Sequence, residues 1–129
     1  MKKRRVELTG AEWTIIKAIW AGEPCTAPAV QAALEPQTQW SYSTVRTMMD
    51  RMVAKGMLTA EKEGKVTRFR SAITQEEARR GELLYALKHA FSGALTPMVQ
   101  CLLDTGRVSA DELAELETLI QDRKKRSKK

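Results

Sequence analysis

The stretch WSYSTVRTMMDRMVAKGMLTAEKEGKVTRFRS, residues 40–71, carries the features that most limit which fold the chain can adopt. Its first half predicts a helix, because apolar side chains recur there every three or four residues and form one face. These apolar positions are Val45, Met48, Met49, Met52 and Val53. The hydroxyl of Ser41 or Ser43 can cap the free N–H groups at the start of this helix. Gly56, which directly follows Lys55, is expected to end it.

The second half of the stretch predicts a β-hairpin. Segments 58–63 and 66–71 are separated by Gly64-Lys65, which suits a tight turn between paired strands. Basic side chains lie at the tip and flanks of this hairpin: Lys62, Lys65, Arg68 and Arg70. A helix with a polar and basic exposed side, followed by a basic hairpin, is typical of a winged-helix DNA-binding domain.

Two further helices are predicted ahead of this stretch. Thr9 begins a capping-box pattern in front of a periodic apolar run. Thr26 is expected to cap a second helix that runs to Glu35, and Pro36 is expected to prevent its continuation. This second helix and the helix over 41–55 then form a helix-turn-helix. The fold class predicted from these features is mainly α with a small β-hairpin wing, a winged helix-turn-helix followed by further helices.

Residues 74–122 predict three more helices. Thr74 begins another capping box, Thr96-Pro97 opens the next helix, and Ser109 caps the last one. Each helix has an apolar stripe, but a segment of about 50 residues is small for an independent core. We therefore interpret this segment as a dimerisation region that pairs with a second copy of itself. The alternative is a helical appendage that folds back on the winged helix.

The charge distribution divides the 129-residue chain, whose formal net charge is +6, into three parts. Residues 1–73, the predicted DNA-binding domain, carry 12 Lys or Arg against 7 Asp or Glu, and their first five residues form a basic arm. Residues 74–122 carry 4 against 9. Residues 123–129, RKKRSKK, carry 6 basic groups and are predicted to be a disordered tail. Only part of the chain is therefore expected to face a polyanion.

The sequence contains no pattern that indicates catalysis, a metal site or a membrane span. His89 has no nucleophile or paired carboxylate at helical spacing. Cys25 and Cys101 are too few for a metal motif or a disulfide framework, and a redox sensor is disfavoured because neither has an activating cation beside it. No apolar run is long enough to cross a bilayer, and no signal-peptide pattern is present. We expect a cytoplasmic protein that is not an enzyme and needs no cofactor.

The residues expected to contact double-stranded DNA lie on the second helix of the helix-turn-helix and on the hairpin. The start of such a helix usually meets base edges in the major groove. Arg46 can donate two hydrogen bonds to a guanine, and the methyl group of a threonine can contact that of a thymine. The predicted contacts are Ser43, Thr44, Arg46, Thr47, Arg51, Lys65 and Arg68.

Two alternatives to this interpretation stay open. Ser43 and Thr44 can serve only to cap the helix, with Arg46 and Arg51 merely solvated. The winged helix can also be a module that binds another protein without reading a DNA sequence. Acidic residues on the exposed start of the helix would favour such a module, and residues 41–47 contain none.

Several segments in combination resemble the penicillinase repressor family of the BlaI/MecI type. They are LTGAEWTIIKAIW (8–20), WSYSTVRTMMDRMVAKGML (40–58), EGKVTRFRSAIT (63–74) and VSADELAELETLI (108–120). The resemblance implies a winged-helix DNA-binding domain, a C-terminal three-helix dimerisation region, and repression by binding pseudo-palindromic operators, often with TACA/TGTA half-sites. By this match Ser43, Thr44, Arg46 and Thr47 would face bases or phosphates, and Lys65 and Arg68 would belong to the wing.

The sequence departs from the family pattern at the features that release the repressor. In the antibiotic-responsive members a sensor-linked protease cuts an Asn-Phe bond in the fifth helix, and the corresponding pair here is Cys101-Leu102. The related copper-responsive members end in a cysteine-rich motif, whereas this chain ends in RKKRSKK. The resemblance therefore implies neither release mechanism, and the inducing signal and any sensor or protease partner stay open.

Overall fold

The chain forms six helices and one antiparallel hairpin in a computed structural model that describes residues 6–127. The elements are, in order, α1 Gly10–Gly22, α2 Ala27–Thr38, α3 Tyr42–Ala54, β1 Leu58–Glu63, β2 Val66–Ser71, α4 Gln75–Phe91, α5 Leu95–Asp104 and α6 Ala110–Ser127. The predicted fold class is confirmed, as are both strand boundaries. The predicted basic arm, residues 1–5, lies outside the described residues.

The first of two compact units ends at Leu84 and holds α1 to α3, the hairpin and the start of α4. Its core is made by apolar side chains from each of the first three helices and from both strands. The largest fully buried side chains are Ile15, Ile16, Ile19, Val45, Met49, Met52, Leu58 and Phe69. Burying one such side chain contributes roughly 1.5–3 kcal/mol, so this core fixes where the surface of α3 lies.

Two tryptophans of α1 border this core. Trp13 and Trp20 are partly buried against it, and their rings meet edge to face with centroids 6.2 Å apart. The indole N–H of Trp20 donates to the carbonyl of Ile73, at 3.3 Å, which ties α1 to the end of the hairpin. The aromatic spacing on α1 is therefore explained by packing.

The hairpin pairs from Leu58 opposite Ser71 to Glu63 opposite Val66, so the turn falls at Gly64-Lys65 as predicted. Gly64 has a φ of 62°, a left-handed conformation in which a residue without a side chain is least strained.

Helix α2 continues through Pro36, so the prediction that this proline prevents continuation is wrong. Pro36 has no N–H to donate to the carbonyl of Ala32, but the helix continues for two residues beyond it, to Thr38. The N–H of Gln39 donates to the carbonyl of Glu35 at 3.0 Å, and the Thr38 hydroxyl donates to that of Leu34 at 2.9 Å. Gln39, with a φ of 56°, then ends the helix. The hydrogen bonds from Gln39 and Thr38 thus close the last turn beyond the proline.

The second unit begins at Tyr85, within α4, and contains α5 and α6. Neither α5 nor α6 has a buried residue. α5 begins at Leu95, one residue before the predicted Thr96, with no side-chain cap. The predicted domain boundary, after residue 73, lies just before the start of α4, whereas the two compact units divide after Leu84. The role of residues 74–122 in dimerisation stays a prediction.

The last helix extends into the basic tail. α6 runs to Ser127, so the prediction of disorder is wrong for residues 123–127; residues 128–129 lie outside the described range. Lysine and arginine are good helix formers, and positive charge near a helix C-terminus is favourable. None of the helices in the described range combines the length and apolarity that a bilayer span requires.

Candidate nucleic-acid interface

The start of α3 presents three hydroxyl groups at the protein surface. Ser41 is the N-cap: its Oγ accepts from the N–H of Thr44 at 3.2 Å. The same oxygen lies 3.1 Å from the hydroxyl of Ser43 and donates to that of Thr44 at 3.1 Å. All three residues are exposed. Because Ser41 does the capping, Ser43 and Thr44 are not needed for it, and their hydroxyls stay at a surface that a ligand can reach.

Ser43, Thr47 and Arg51 form one exposed row along α3, spaced four residues apart. The row contains hydroxyl groups near the helix start and a guanidinium near its end, with no carboxylate. The opposite side of α3 is anchored, since Val45, Met49 and Met52 are buried in the core. This exposed row is therefore a polar surface on a helix that the core holds in place, and the major groove of DNA can admit an α-helix.

Arg46 lies in the neighbouring row and is held by several groups. Its Nε donates to the carboxylate of Asp50, at 3.2 Å and 3.4 Å to the two oxygens. Its Cζ lies 5.5 Å from the centroid of the Phe69 ring on β2, within the range of a cation–π contact. The pKa of Arg46 is raised, first by a hydrogen bond with the Tyr42 side chain and then by that with Asp50. The guanidinium is thus fixed beside the base of the hairpin.

The hairpin carries the remaining predicted contacts. Lys65 is exposed at the turn and Arg68 is exposed on β2. Arg68 lies 3.7 Å from the carboxylate of Glu63, an exposed pair that contributes at most about 1 kcal/mol to stability. Glu61 and Glu63 alternate with the basic residues, so the wing is less uniformly positive than the sequence pattern indicated. A phosphate approaching Arg68 would compete with Glu63.

The base of the hairpin is attached to the loop between α1 and α2. The backbone of Cys25 forms a bridge with Phe69, with N–H to O distances of 3.1 Å and 2.7 Å. The carboxylate of Glu23 accepts from the backbone N–H of Ser71 at 2.7 Å. These contacts fix the orientation of β2, and with it the ring of Phe69 beneath Arg46.

The C-terminal end of α3 is anchored by an ion pair. Gly56, with a φ of 82°, ends the helix after Lys55. The Lys55 ammonium donates to the carboxylate of Glu12 at 2.7 Å, and the other oxygen of Glu12 accepts from the N–H of Thr9 at 2.9 Å. Burial alone would raise the pKa of Glu12, but the hydrogen bonds from Lys55 and Thr9 outweigh it, so this pKa is lowered. One carboxylate thus caps α1 and holds the end of α3.

The structure brings the seven predicted residues to two neighbouring elements. Five lie on α3, and Lys65 and Arg68 lie on the hairpin next to it. Their contact with DNA stays a prediction. Tyr42 and Asp50 were missed, although their four-residue spacing from Arg46 is visible in the sequence.

Within residues 6–127, the other reactive side chains do not form a second site. Burial and the neighbouring Glu23 carboxylate raise the pKa of the Cys25 thiol, which keeps it protonated and unreactive at neutral pH. His89 stacks on Tyr85 with ring centroids 4.0 Å apart. Among residues 6–127 no group of three or more His, Cys, Asp or Glu side chains is arranged to hold a metal ion.

Comparison with protein families gives a match over most of the chain. The family model described as penicillinase repressor matches residues 8–122. The penicillinase repressor of Bacillus licheniformis is 28% identical over 126 residues, which cover 98% of each chain. The methicillin resistance regulatory protein MecI of Staphylococcus aureus is 22% identical over 120 residues, covering 93% of this chain and 98% of the other.

Comparison with solved structures gives a match to the winged helix. The Bacillus licheniformis BlaI monomeric form, in complex with the blaP half-operator, is 29% identical with a TM-score of 0.51. The match covers 59% of this chain and 93% of that one. The DNA-binding domain of the repressor BlaI gives the same values.

Proposed function

The chain belongs to the penicillinase repressor family, and we propose that it is a transcriptional repressor that binds a pseudo-palindromic DNA operator as a homodimer. The observation that carries this proposal is the polar and basic surface of α3 beside the hairpin. A buried core fixes that surface, and the similar BlaI structure was determined in complex with a half-operator.

In this proposal α3 is the recognition helix and enters the major groove. Ser43, Thr44 and Thr47 lie on its first half, where such helices meet base edges. Their hydroxyls can donate to or accept from bases, and the threonine methyl groups can contact a thymine methyl. Arg46, further along the same half, donates two hydrogen bonds to a guanine.

Arg51, Lys65 and Arg68 contact phosphates. Each is exposed, and two of them lie on the hairpin, which flanks the recognition helix. Neutralising phosphates releases condensed counterions, so the affinity falls as the salt concentration rises. These contacts set the position of the domain on the duplex but do not distinguish one base from another.

The second unit supplies the dimer interface, within the segment 74–122. It exposes large apolar side chains that a monomer in water would leave unfavourably hydrated: Leu95, Val99, Leu102, Leu103, Leu113, Leu116, Leu119 and Ile120. A segment of this size has too little core to be stable alone. A second copy offers the matching apolar surface, and two-fold symmetry would place two recognition helices on two half-sites.

The family's Asn-Phe cleavage pair is replaced by Cys101-Leu102, which lies inside α5. A protease that requires Asn-Phe would therefore find no substrate at this position. Cleavage of an Asn-Phe bond is therefore not part of the release mechanism that we propose for this chain.

The proposal is tested by measuring whether the protein binds one DNA sequence more tightly than another. Duplexes are selected by the protein from a randomised pool, and the affinity for an enriched duplex is compared with that for a scrambled duplex of equal length by fluorescence anisotropy. A specific repressor should prefer the enriched duplex by about 10³-fold or more at physiological salt. A pool that shows no enrichment, or equal affinities for both duplexes, would favour the protein-interaction alternative and refute the proposal.

A further inference from the structure

Tyr42, Arg46 and Asp50 form a row on α3, spaced four residues apart, next to the row of Ser43, Thr47 and Arg51. All three side chains reach solvent: Tyr42 is 45% exposed, and the side chains of Arg46 and Asp50 are 38% and 57% exposed. An acidic residue in this position is unexpected on a surface that faces DNA, because its charge repels phosphates. The presence of Asp50 therefore needs an explanation.

Folding stability does not provide that explanation. The ion pair between Arg46 and Asp50 is solvent-exposed, and exposed pairs four residues apart on a helix contribute little to stability. Neither side chain contributes to the buried core. What the pair does change is the freedom of Arg46, whose long side chain would otherwise sample many rotamers.

These contacts leave the terminal amino groups of the Arg46 guanidinium available to bind a base. A guanidinium has five N–H donors. Asp50 engages the donor on Nε through both of its carboxylate oxygens, at 3.2 Å and 3.4 Å. The ring of Phe69 supports one face of the group, and Tyr42, one helical turn earlier, is the first group that raises the pKa of Arg46. Donors on the terminal amino groups remain, and these form the fork that recognises O6 and N7 of guanine.

We propose that Tyr42 and Asp50 are positioning residues for Arg46, which hold its guanidinium ready to read a base and thereby set the sequence preference of the DNA contact. This inference rests on the proposed function, because it requires that α3 reads DNA. The conformational entropy of the Arg46 side chain is then lost during folding and not during DNA binding. Because the side chain is already held in one position, it binds the base that matches that position better than a base that would require it to move. The repulsion between Asp50 and phosphates lowers affinity for every duplex, so its benefit appears only as selectivity.

The experiment measures a selectivity ratio, the affinity for the enriched duplex divided by that for a scrambled duplex of equal length. Asp50→Asn removes the charge and should lower this ratio about tenfold, within the range that one bidentate base contact provides. Tyr42→Phe removes only the hydroxyl and should lower the ratio by a smaller factor. Glu7→Gln is the matched control: Glu7 is exposed outside α3, and the charge change is the same. It should leave the ratio unchanged.

Repeating the measurement in an Arg46→Ala background separates positioning from other effects. If Asp50 acts through Arg46, Asp50→Asn should change the ratio less than about twofold once Arg46 is absent. An equal loss of ratio in both backgrounds would overturn the proposal, as would equal gains in affinity for both duplexes, which indicate only reduced charge repulsion. Thermal unfolding confirms that each variant is folded. If the wild-type protein enriches no duplex from the randomised pool, the proposed function itself fails, and the selectivity ratio cannot be measured.

Discussion

The ion pair between Glu12 and Lys55 leads to a quantitative prediction about the first unit. The Glu12 side chain is 9% exposed and that of Lys55 is 51% exposed, with 2.7 Å between Oε2 and Nζ. Exposed pairs contribute at most about 1 kcal/mol, whereas hydrogen bonds to charged groups contribute about 1.5–3 kcal/mol. A half-exposed pair of this geometry lies between these limits. We therefore expect a coupling free energy of about 1–2 kcal/mol at neutral pH.

The coupling is measured with a double-mutant cycle of Glu12→Gln and Lys55→Gln. Glutamine at position 12 retains an oxygen that can accept from the N–H of Thr9, so the cycle isolates the charge interaction. Urea unfolding is followed by tryptophan fluorescence. The chain has three tryptophans, Trp13, Trp20 and Trp40, and all lie in the first unit. The signal therefore reports the unfolding of that unit.

The pH dependence of the coupling free energy between Glu12 and Lys55 provides a second test of the prediction. The folded-state pKa of Glu12 is lowered, so its stabilisation is complete above the unfolded-state value of about 4.5 and is lost as the pH falls through the lower folded-state value. The coupling should therefore shrink towards zero as the pH falls below 4.5 and through the lower folded-state value. Glu7→Gln, at an exposed carboxylate, should cost less than about 0.5 kcal/mol at either pH. A coupling below about 0.3 kcal/mol at pH 7, or one that persists unchanged in acid, would refute this reasoning.

Three further outcomes follow from the same structure. Lys65→Ala should weaken binding to the enriched and the scrambled duplex alike. A salt titration should show that the slope of log affinity against log salt concentration falls in magnitude by about 1. A loss of affinity for the enriched duplex alone would contradict a phosphate contact. Leu119, which is 64% exposed, should lie in the dimer interface, so Leu119→Glu should shift the sedimentation mass from twice 14.5 kDa to 14.5 kDa; an unchanged dimer would place the interface elsewhere. Gly81→Ala would place a Cβ against the backbone carbonyl of Val6 and should destabilise the first unit by about 1–3 kcal/mol in urea, whereas Gly22→Ala meets open space. Equal stabilities for these two variants would contradict the close approach.

Local sequence signals predicted the elements well where the determining interactions are themselves local. The turn at Gly64-Lys65 fixes the register of the hairpin, because only a two-residue connection separates the strands. The capping boxes at Thr9 and Thr74 likewise marked helix starts from a four-residue pattern. Pro36 misled the prediction, because a proline removes the hydrogen bond to the carbonyl four residues before it but leaves Thr38 and Gln39 able to close a last turn.

The anchoring of the candidate site could not be predicted, because it depends on contacts distant in sequence. Glu12 and Lys55 are 43 positions apart, and nothing in either local pattern indicates the pair. The position of the Phe69 ring under Arg46 also requires the hairpin to be folded against α3. The side chains that lie on the exposed face of α3 were predictable from helical periodicity, whereas the groups that hold them were not.

The central claim is that two copies of the chain place two recognition helices on one operator. Hydroxyl-radical footprinting on a duplex enriched by the protein tests this most directly. We expect protection with two-fold symmetry, in two half-sites about one helical turn or a small multiple apart. Protection of a single half-site, or protection without a symmetry axis, would contradict it.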